Sequence, residues 1–288
     1  MWLNLWPTWL AVPGRFMNEK PKRERQLAYS EQQALMLDET SRRIKAGKIA
    51  SVLEHFLGRS SLSGLRLLDI GCSGGIVASE LHKRGASVIG ADIDVPGLAR
   101  ARARYGDTIS FLCTDGERLP IASGSIDVVV LNHIYEHVVD PWGLAAEIVR
   151  VLAPQGVAYL GLGNRLGVME PHYRLPFLSW LPRPLAHRYV RAFGRADSYY
   201  ERFLTRPNLR RLFGALDVWD YTLPVLADAR RFGAGDVVPG PVGRLPAAVL
   251  RPLLPLVPAY IWIGTHGGLA PLGSKVAIPP VHLARPAL

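Results

Sequence analysis

Apolar residues first recur at helical intervals over 41–57, where Ile44, Ile49, Val52, Leu53, Phe56 and Leu57 share a face. Ser41 is placed to cap that helix and Gly58 to stop it. The pattern changes at 65–75, LRLLDIGCSGG. Leu65, Leu67, Leu68 and Ile70 form a short apolar run that breaks into Gly71, Ser73, Gly74 and Gly75, and helical spacing resumes from Ser73 to Lys83, ending at Gly85. A buried strand that ends in a Gly-rich turn and opens a helix is the usual geometry of a nucleotide-binding α/β sheet. Four further apolar runs, at 86–92, 108–113, 126–131 and 156–162, predict strands two to five. Between them, one helix starts at Val95 and Pro96 behind an Asp94 cap, and another covers 141–152.

Beyond Asn164 the alternation fails. The stretch 165–204 has too many prolines for one helix and too many aromatics for a free loop, so it predicts a lid or substrate segment inserted after strand five. A short helix at 207–214, strand six at 218–223 and an antiparallel strand seven at Ala259–Thr265 then complete the sheet. Residues 245–257 are apolar but interrupted by Pro246, Pro252 and Pro255, with Arg251 in the middle. Those breaks argue against a membrane span and for an amphipathic piece that lies on a membrane or closes a greasy pocket. The chain thus divides into an N-terminal extension (1–40, partly disordered), a cofactor-binding core (41–164), the lid segment (165–204), the end of the sheet (205–270) and a mobile tail (271–288). Within the extension, residues 1–16 carry three Trp and almost no charge, too short to span a bilayer, and read as disordered or weakly docked.

Charge changes this picture in one respect. Of a net +10, nearly all lies in residues 171–288, with 15 Lys+Arg against 6 Asp+Glu. These are mostly Arg interleaved with Trp, Tyr, Phe and Pro, and no nucleic-acid motif accompanies them, so a peripheral contact with anionic lipid or a phosphorylated carrier fits better than nucleic acid. A solvated Arg-rich face with no partner is the plain alternative. Only Cys72 and Cys113 occur, and no His/Cys/Asp spacing is that of a zinc site, so no metal and no disulfide framework are expected, and the compartment is read as cytoplasmic.

The Gly-rich loop separates cofactor classes. A dinucleotide fingerprint wants glycines at the first, third and sixth positions, which here are Gly71, Ser73 and Ile76; a P-loop wants Gly-Lys-Ser/Thr, and no Lys is near. What remains is acid-x-Gly-x-Ser-Gly-Gly, which resembles motif I of the Rossmann-like S-adenosylmethionine-dependent methyltransferases. Asp92 stands 21 positions past Gly71, where one βαβ step brings a second carboxylate beside the first strand's end. The later stretch LPIASGSIDVVVLNHIYEHVVDP is similar to that of the small-molecule, type 11-like group of this family. The resemblance covers about 65–164. It implies a seven-stranded, mostly parallel Rossmann-like sheet, a helix before strand one that covers the cofactor, and S-adenosyl-L-methionine as cofactor. The cofactor set it implies is Asp69, Gly71, Ser73, Gly74, Asp92, Ile93, Asp115, Gly116 and Asn132, with Asp92 on the ribose hydroxyls and Asp115 and Gly116 on the adenine.

Methyl transfer from a sulfonium needs alignment above all, and a base only for an acceptor that is protonated at neutral pH. His133 and His137 follow strand four, and His172 and Tyr173 stand in the inserted segment. The expectation is that His172 takes the acceptor's proton and Tyr173 positions the substrate, with His133 next in line; His137, at a helix entry, has a structural alternative. The reading is thus a methyltransferase for a small or lipid-linked acceptor, most often at oxygen in a biosynthetic pathway. A cofactor-fold binding module without catalysis is the alternative, and a nicotinamide oxidoreductase is disfavoured by the loop.

Overall fold

The computed structural model describes residues 24–32, 38–235 and 247–285. The expectations for 1–16 and for the last residues of the chain therefore lie outside the described residues. In order, the strands are β1 (Arg66–Ile70), β2 (Ser87–Asp92), β3 (Ser110–Cys113), β4 (Ile126–Asn132), β5 (Leu152–Gly163), the short pair β6 (Met169–Glu170) and β7 (Leu175–Pro176), β8 (Asp217–Asp220), β9 (Ala259–Thr265) and β10 (Val281–Leu283). Eight of them form one sheet in the order β10-β8-β9-β5-β4-β1-β2-β3. Pairing is parallel from β3 across to β5, and β9 then enters antiparallel to both β5 and β8. The architecture is the α/β fold expected, with one strand more than the seven predicted.

Alternate residues of the central strands feed two cores. Leu68, Ile70, Val129, Leu131, Ala158 and Leu160 pack on one face, and Leu67, Val128, Val130, Val157 and Tyr159 on the other. Both faces are buried, so each central strand reads as an unbroken apolar run. The order reverses between β1 and β4, and the crevice at their carboxyl ends is where an α/β sheet binds its ligands.

Helix Glu39–Leu57 begins two residues earlier than its apolar spacing suggests. Its cap is Asp38, whose carboxylate accepts from the N–H groups of Thr40 and Ser41, and Gly58 closes it at φ 63°. Helix Ile76–Lys83 starts after the glycine turn, not at Ser73. Asp94 does cap helix Val95–Tyr105, accepting from Gly97 N–H, and Pro141–Val151 follows an Asp140 cap.

Three expectations are corrected. Strand six ends at Asp220, because Asp220 accepts from the Thr222 N–H and turns the chain into helix Thr222–Ala227, which takes Leu223 with it. The tail over 271–285 is not mobile: Leu272 N–H donates to Phe56 O, His55 bridges to Ser274, β10 pairs with β8, and Arg285 binds Asp217. Residues 24–32 of the extension are also packed, with Ser30 buried and its N–H on Asp94 Oδ2. The inserted segment is folded rather than loose, since Tyr173, Leu175, Leu178, Ala186, Val190 and Tyr199 join the main core. Over the described part of 245–257, helix Ala247–Leu253 and the turn Leu254–Leu256 keep Leu250 buried and leave Val249, Leu253 and Leu256 exposed.

Candidate active site

The carboxyl ends of β1, β2 and β4 open into a cavity of about 570 Å³. Gly71 turns out of β1 at φ 80°, where a β-carbon would run into the Ile134 side chain; Gly75 repeats the left-handed conformation at φ 74°. Between them Ser73 also sits at positive φ, and its N–H donates to Asp92 Oδ2 at 2.7 Å. Asp92 Oδ1 accepts from Asp94 N–H at 2.9 Å, so the acid at the end of β2 is fixed by two backbone donors. A carboxylate has about four acceptor sites, which leaves capacity for two hydroxyls.

Of the cofactor residues read from the sequence, Gly71, Ser73, Asp92, Ile93, Asp115, Gly116 and Asn132 line this cavity. Asp69 and Gly74 line a small adjoining pocket with Arg42 and Asn132. Asp69 is buried with its Oδ2 lacking a hydrogen-bond partner. Burial first, then the nearby Asp92 charge, push its pKa up to about 7, while the Arg42 guanidinium pulls the other way. Burial also raises Asp92, opposed by the N–H groups of Asp94 and Ser73.

Arg42, absent from the sequence reading, enters from helix Glu39–Leu57 and lines both pockets. Burial lowers its pKa, resisted by Tyr29, Asp69, Asp38 and Asp92. Gln26, Tyr29 and Lys45 also reach the cavity, and Gln26 donates to His137 O. No spacing rule marks these residues, because they precede the Gly-rich loop and reach it only through the packed N-terminal segment.

The other part of the cavity wall is a cluster of imidazoles backed by buried carboxylates. His133, His137 and His172 all line the cavity, and Glu136, Glu170 and Glu201 are buried behind them. His172 Nδ1 and Glu170 Oε1 are 2.7 Å apart, while Glu170 Oε2 accepts from Tyr173 N–H. His137 Nε2 faces His172 Nε2 at 3.1 Å, with His137 Nδ1 3.9 Å from Glu201 Oε1. His133 Nδ1 lies 3.4 Å from Glu136 Oε1. Burial lowers the His172 pKa, but the Glu170 hydrogen bond and the Glu201, Glu170 and Glu136 charges outweigh it and raise it to about 9. Burial likewise opposes ionisation of Glu136, and the three imidazoles overcome it and hold its carboxyl at about 2.

Tyr173 is not brought into the cavity. It packs edge-on against Tyr199, and its hydroxyl donates to Ser198 O at 3.4 Å. Glu136 and Glu170 stand beside His137 and His172 in sequence, and Glu170 reads as able to orient the His172 ring; Glu201 went unread because it stands 29 positions past His172 and forms no local motif. One ligand-capable atom from each of Glu136, His137 and His172 lies within 4.8 Å of the others, a grouping that sequence spacing could not reveal.

Residues 68–160 match the family described as "Methyltransferase domain". Over that stretch the chain is similar to a methyltransferase domain. The match begins inside β1 and ends inside β5, so the domain holds the Gly-rich turn, Asp92, Asp115 and the Glu136-His137 pair but not His172. A ubiquinone biosynthesis O-methyltransferase of Sinorhizobium medicae is 33% identical over 148 residues, covering 48% of this chain and 59% of that protein. An uncharacterized methyltransferase of Mycobacterium ulcerans is 36% identical over 113 residues, covering 39% and 44%. The chain spans about half the length of the curated relatives it matches. Among solved structures, phosphoethanolamine N-methyltransferase 1 of Haemonchus contortus superposes with a TM-score of 0.55 at 14% identity, covering 91% of this chain and 52% of that one. That likeness establishes the fold.

Proposed function

We propose that this chain is an S-adenosylmethionine-dependent O-methyltransferase that acts on a small or lipid-linked hydroxyl acceptor. The observation that carries the reading is that one cavity joins two sets of groups. Asp92, Asp115 and Arg42 border one part, with Asp69 in the small pocket beside it, and His133, His137 and His172 border another.

The residues present fit the cofactor. The unpartnered Asp69 Oδ2 suits a buried ammonium, Asp92 has capacity for ribose hydroxyls, and Arg42 supplies the cation that a free carboxylate needs. Gly71 and Gly116 let the backbone approach closely, since β-carbons there would press on Ile134 and Leu144. When bound, S-adenosylmethionine supplies a methyl carbon on a sulfonium, ready for in-line displacement. The chain's task is then to align the acceptor and receive its proton. His137 and His172 are the groups placed to do so, with Glu170 fixing the His172 ring.

The Sinorhizobium medicae relative is named for O-methylation in ubiquinone biosynthesis, which supports an oxygen acceptor. Peripheral membrane contact through the inserted segment accords with a lipid-linked acceptor: Phe177, Trp180, Leu185 and Phe193 are exposed among the exposed Arg174, Arg183, Arg188, Arg191 and Arg195. No helix among the described residues is long and apolar enough to cross a membrane.

The test is binding followed by transfer. Calorimetry should find one S-adenosylhomocysteine per chain, and a panel of phenolic, catecholic and amine acceptors should show methyl transfer to oxygen. Failure to bind the product cofactor sinks the reading; transfer to nitrogen alone sinks the oxygen part of it.

A further inference from the structure

His137 Nε2 faces His172 Nε2 at 3.1 Å, so the two rings turn their inner nitrogens to one point, which either a shared hydrogen or a cation can fill. The remaining nitrogens decide which tautomers face the gap. His172 Nδ1 is committed to Glu170 Oε1 at 2.7 Å, which places its hydrogen there and leaves Nε2 as an acceptor. His137 Nδ1 lies 3.9 Å from Glu201 Oε1, so a second buried carboxylate stands behind this ring. A ring whose outer nitrogen donates to a buried carboxylate while its inner nitrogen stays bare is how proteins prepare histidines to hold a metal. Glu136, 0% exposed, brings a carboxylate to the same point, and one ligand-capable atom of each residue lies within 4.8 Å of the others.

We propose that Glu136, His137 and His172 form a site for a divalent transition metal of the zinc class, with an open position toward the cavity. Ligands of a tetrahedral zinc ion are about 3.3 Å apart, since each metal–ligand bond is about 2.0–2.1 Å. The imidazole pair is already near that spacing, and a carboxylate oxygen of Glu136 lies within 4.8 Å of a ring nitrogen of each. Two imidazoles and one carboxylate select zinc-like ions over Mg²⁺, which prefers oxygen ligands and water. Charge favours a dication as well, because Glu136, Glu170 and Glu201 are all buried around the imidazoles. The open position would take the acceptor oxygen and favour its deprotonated form. His172 lies beyond the matched methyltransferase domain, so the site is completed by the inserted segment of this chain.

The inference goes beyond the methyl-transfer reading, and its test needs neither cofactor nor acceptor. Full-length protein stripped with a chelator is titrated with Zn²⁺ by calorimetry, with Mg²⁺ for comparison and Co²⁺ as a visible-absorption probe. One Zn²⁺ per chain is expected, with Mg²⁺ much weaker and Co²⁺ giving the intense bands of a low-coordinate site. His172→Asn should weaken Zn²⁺ binding by at least about 100-fold, and Glu170→Gln, which leaves all three ligands, by about 10–100-fold. Absence of a Zn²⁺ equivalent in the wild type overturns the proposal, as does wild-type affinity in His172→Asn. Should His172→Asn fail to fold by circular dichroism, unchanged affinity in Glu170→Gln overturns it equally. S-adenosylhomocysteine binding, measured separately, reports on the methyltransferase reading alone.

Discussion

At the scale of single residues, Asp69 has the most distinctive chemistry. Its charged neighbours are Asp92 from β2 and Arg42 from helix Glu39–Leu57, with the buried Cys72 thiol beyond the turn. A carboxyl whose pKa is raised to about 7 on folding favours the fold in its neutral form. That contribution is full below the ordinary carboxylate range and is lost as pH rises through about 7. Without cofactor, Asp69→Asn should therefore flatten the pH dependence of thermal stability between about pH 4 and 7. With cofactor the sign reverses, because an ionised Asp69 is what a buried ammonium needs. Affinity for S-adenosylmethionine should rise by up to about tenfold per pH unit below that point, level off above it, and lose this trend in Asp69→Asn. Equal slopes in both proteins would remove the assignment. Asp92→Ala tests the neighbouring role. It removes the acceptor of two backbone donors at 2.7 and 2.9 Å together with any ribose contact. Calorimetry should show cofactor affinity weakened by about 1.5–3 kcal/mol.

Among the elements, the turn between β1 and helix Ile76–Lys83 is the most constrained. Gly71→Ala meets both an unfavourable φ of 80° and the Ile134 side chain, and should cost about 1–3 kcal/mol in chemical denaturation. A cost within error of zero would mean that the Ile134 loop yields. The tail is held through His55, whose Nε2 reaches Ser274 O at 3.0 Å and whose Nδ1 meets the Tyr221 hydroxyl at 2.8 Å. The neutral ring with its hydrogen on Nε2 makes both bonds, and burial, working against the Ser274 hydrogen bond, lowers the His55 pKa and favours that form. Stability from this tie is present above the ordinary imidazole range and declines as pH falls below about 6.5. Amide exchange at 272–275 should accelerate there, and His55→Phe should show fast exchange at every pH. Elements from 41 to 162 were legible because period and punctuation agreed. Leu223 was misassigned since an apolar run of strand length does not say where Asp220 will cap a helix. The tail was misjudged because two of its anchors are single hydrogen bonds to residues more than 200 positions away.

For the molecule as a whole, the cofactor half of the cavity was written locally and the imidazole half was not. Asp69, Gly71, Ser73 and Asp92 fall within one βαβ step, whereas His137, His172 and Glu201 meet only after the inserted segment folds back on β4 and β5. Charge placement was legible too, though not its purpose. If the exposed Phe177, Trp180 and Phe193 dock on lipid, the protein should sediment with anionic vesicles, less so at high salt, and Phe177→Ser with Phe193→Ser should abolish this. Equal recovery in the supernatant with anionic and neutral vesicles would assign the patch another purpose. The sheet order carries a consequence for biosynthesis. β8 leaves the ribosome before β9, yet β9 lies between it and β5. For the roughly 40 residues of synthesis that separate them, β8 has no sheet edge to join. Val218, fully buried in the finished fold, waits exposed through that interval, so the nascent chain has a window in which translation pauses invite aggregation or chaperone capture.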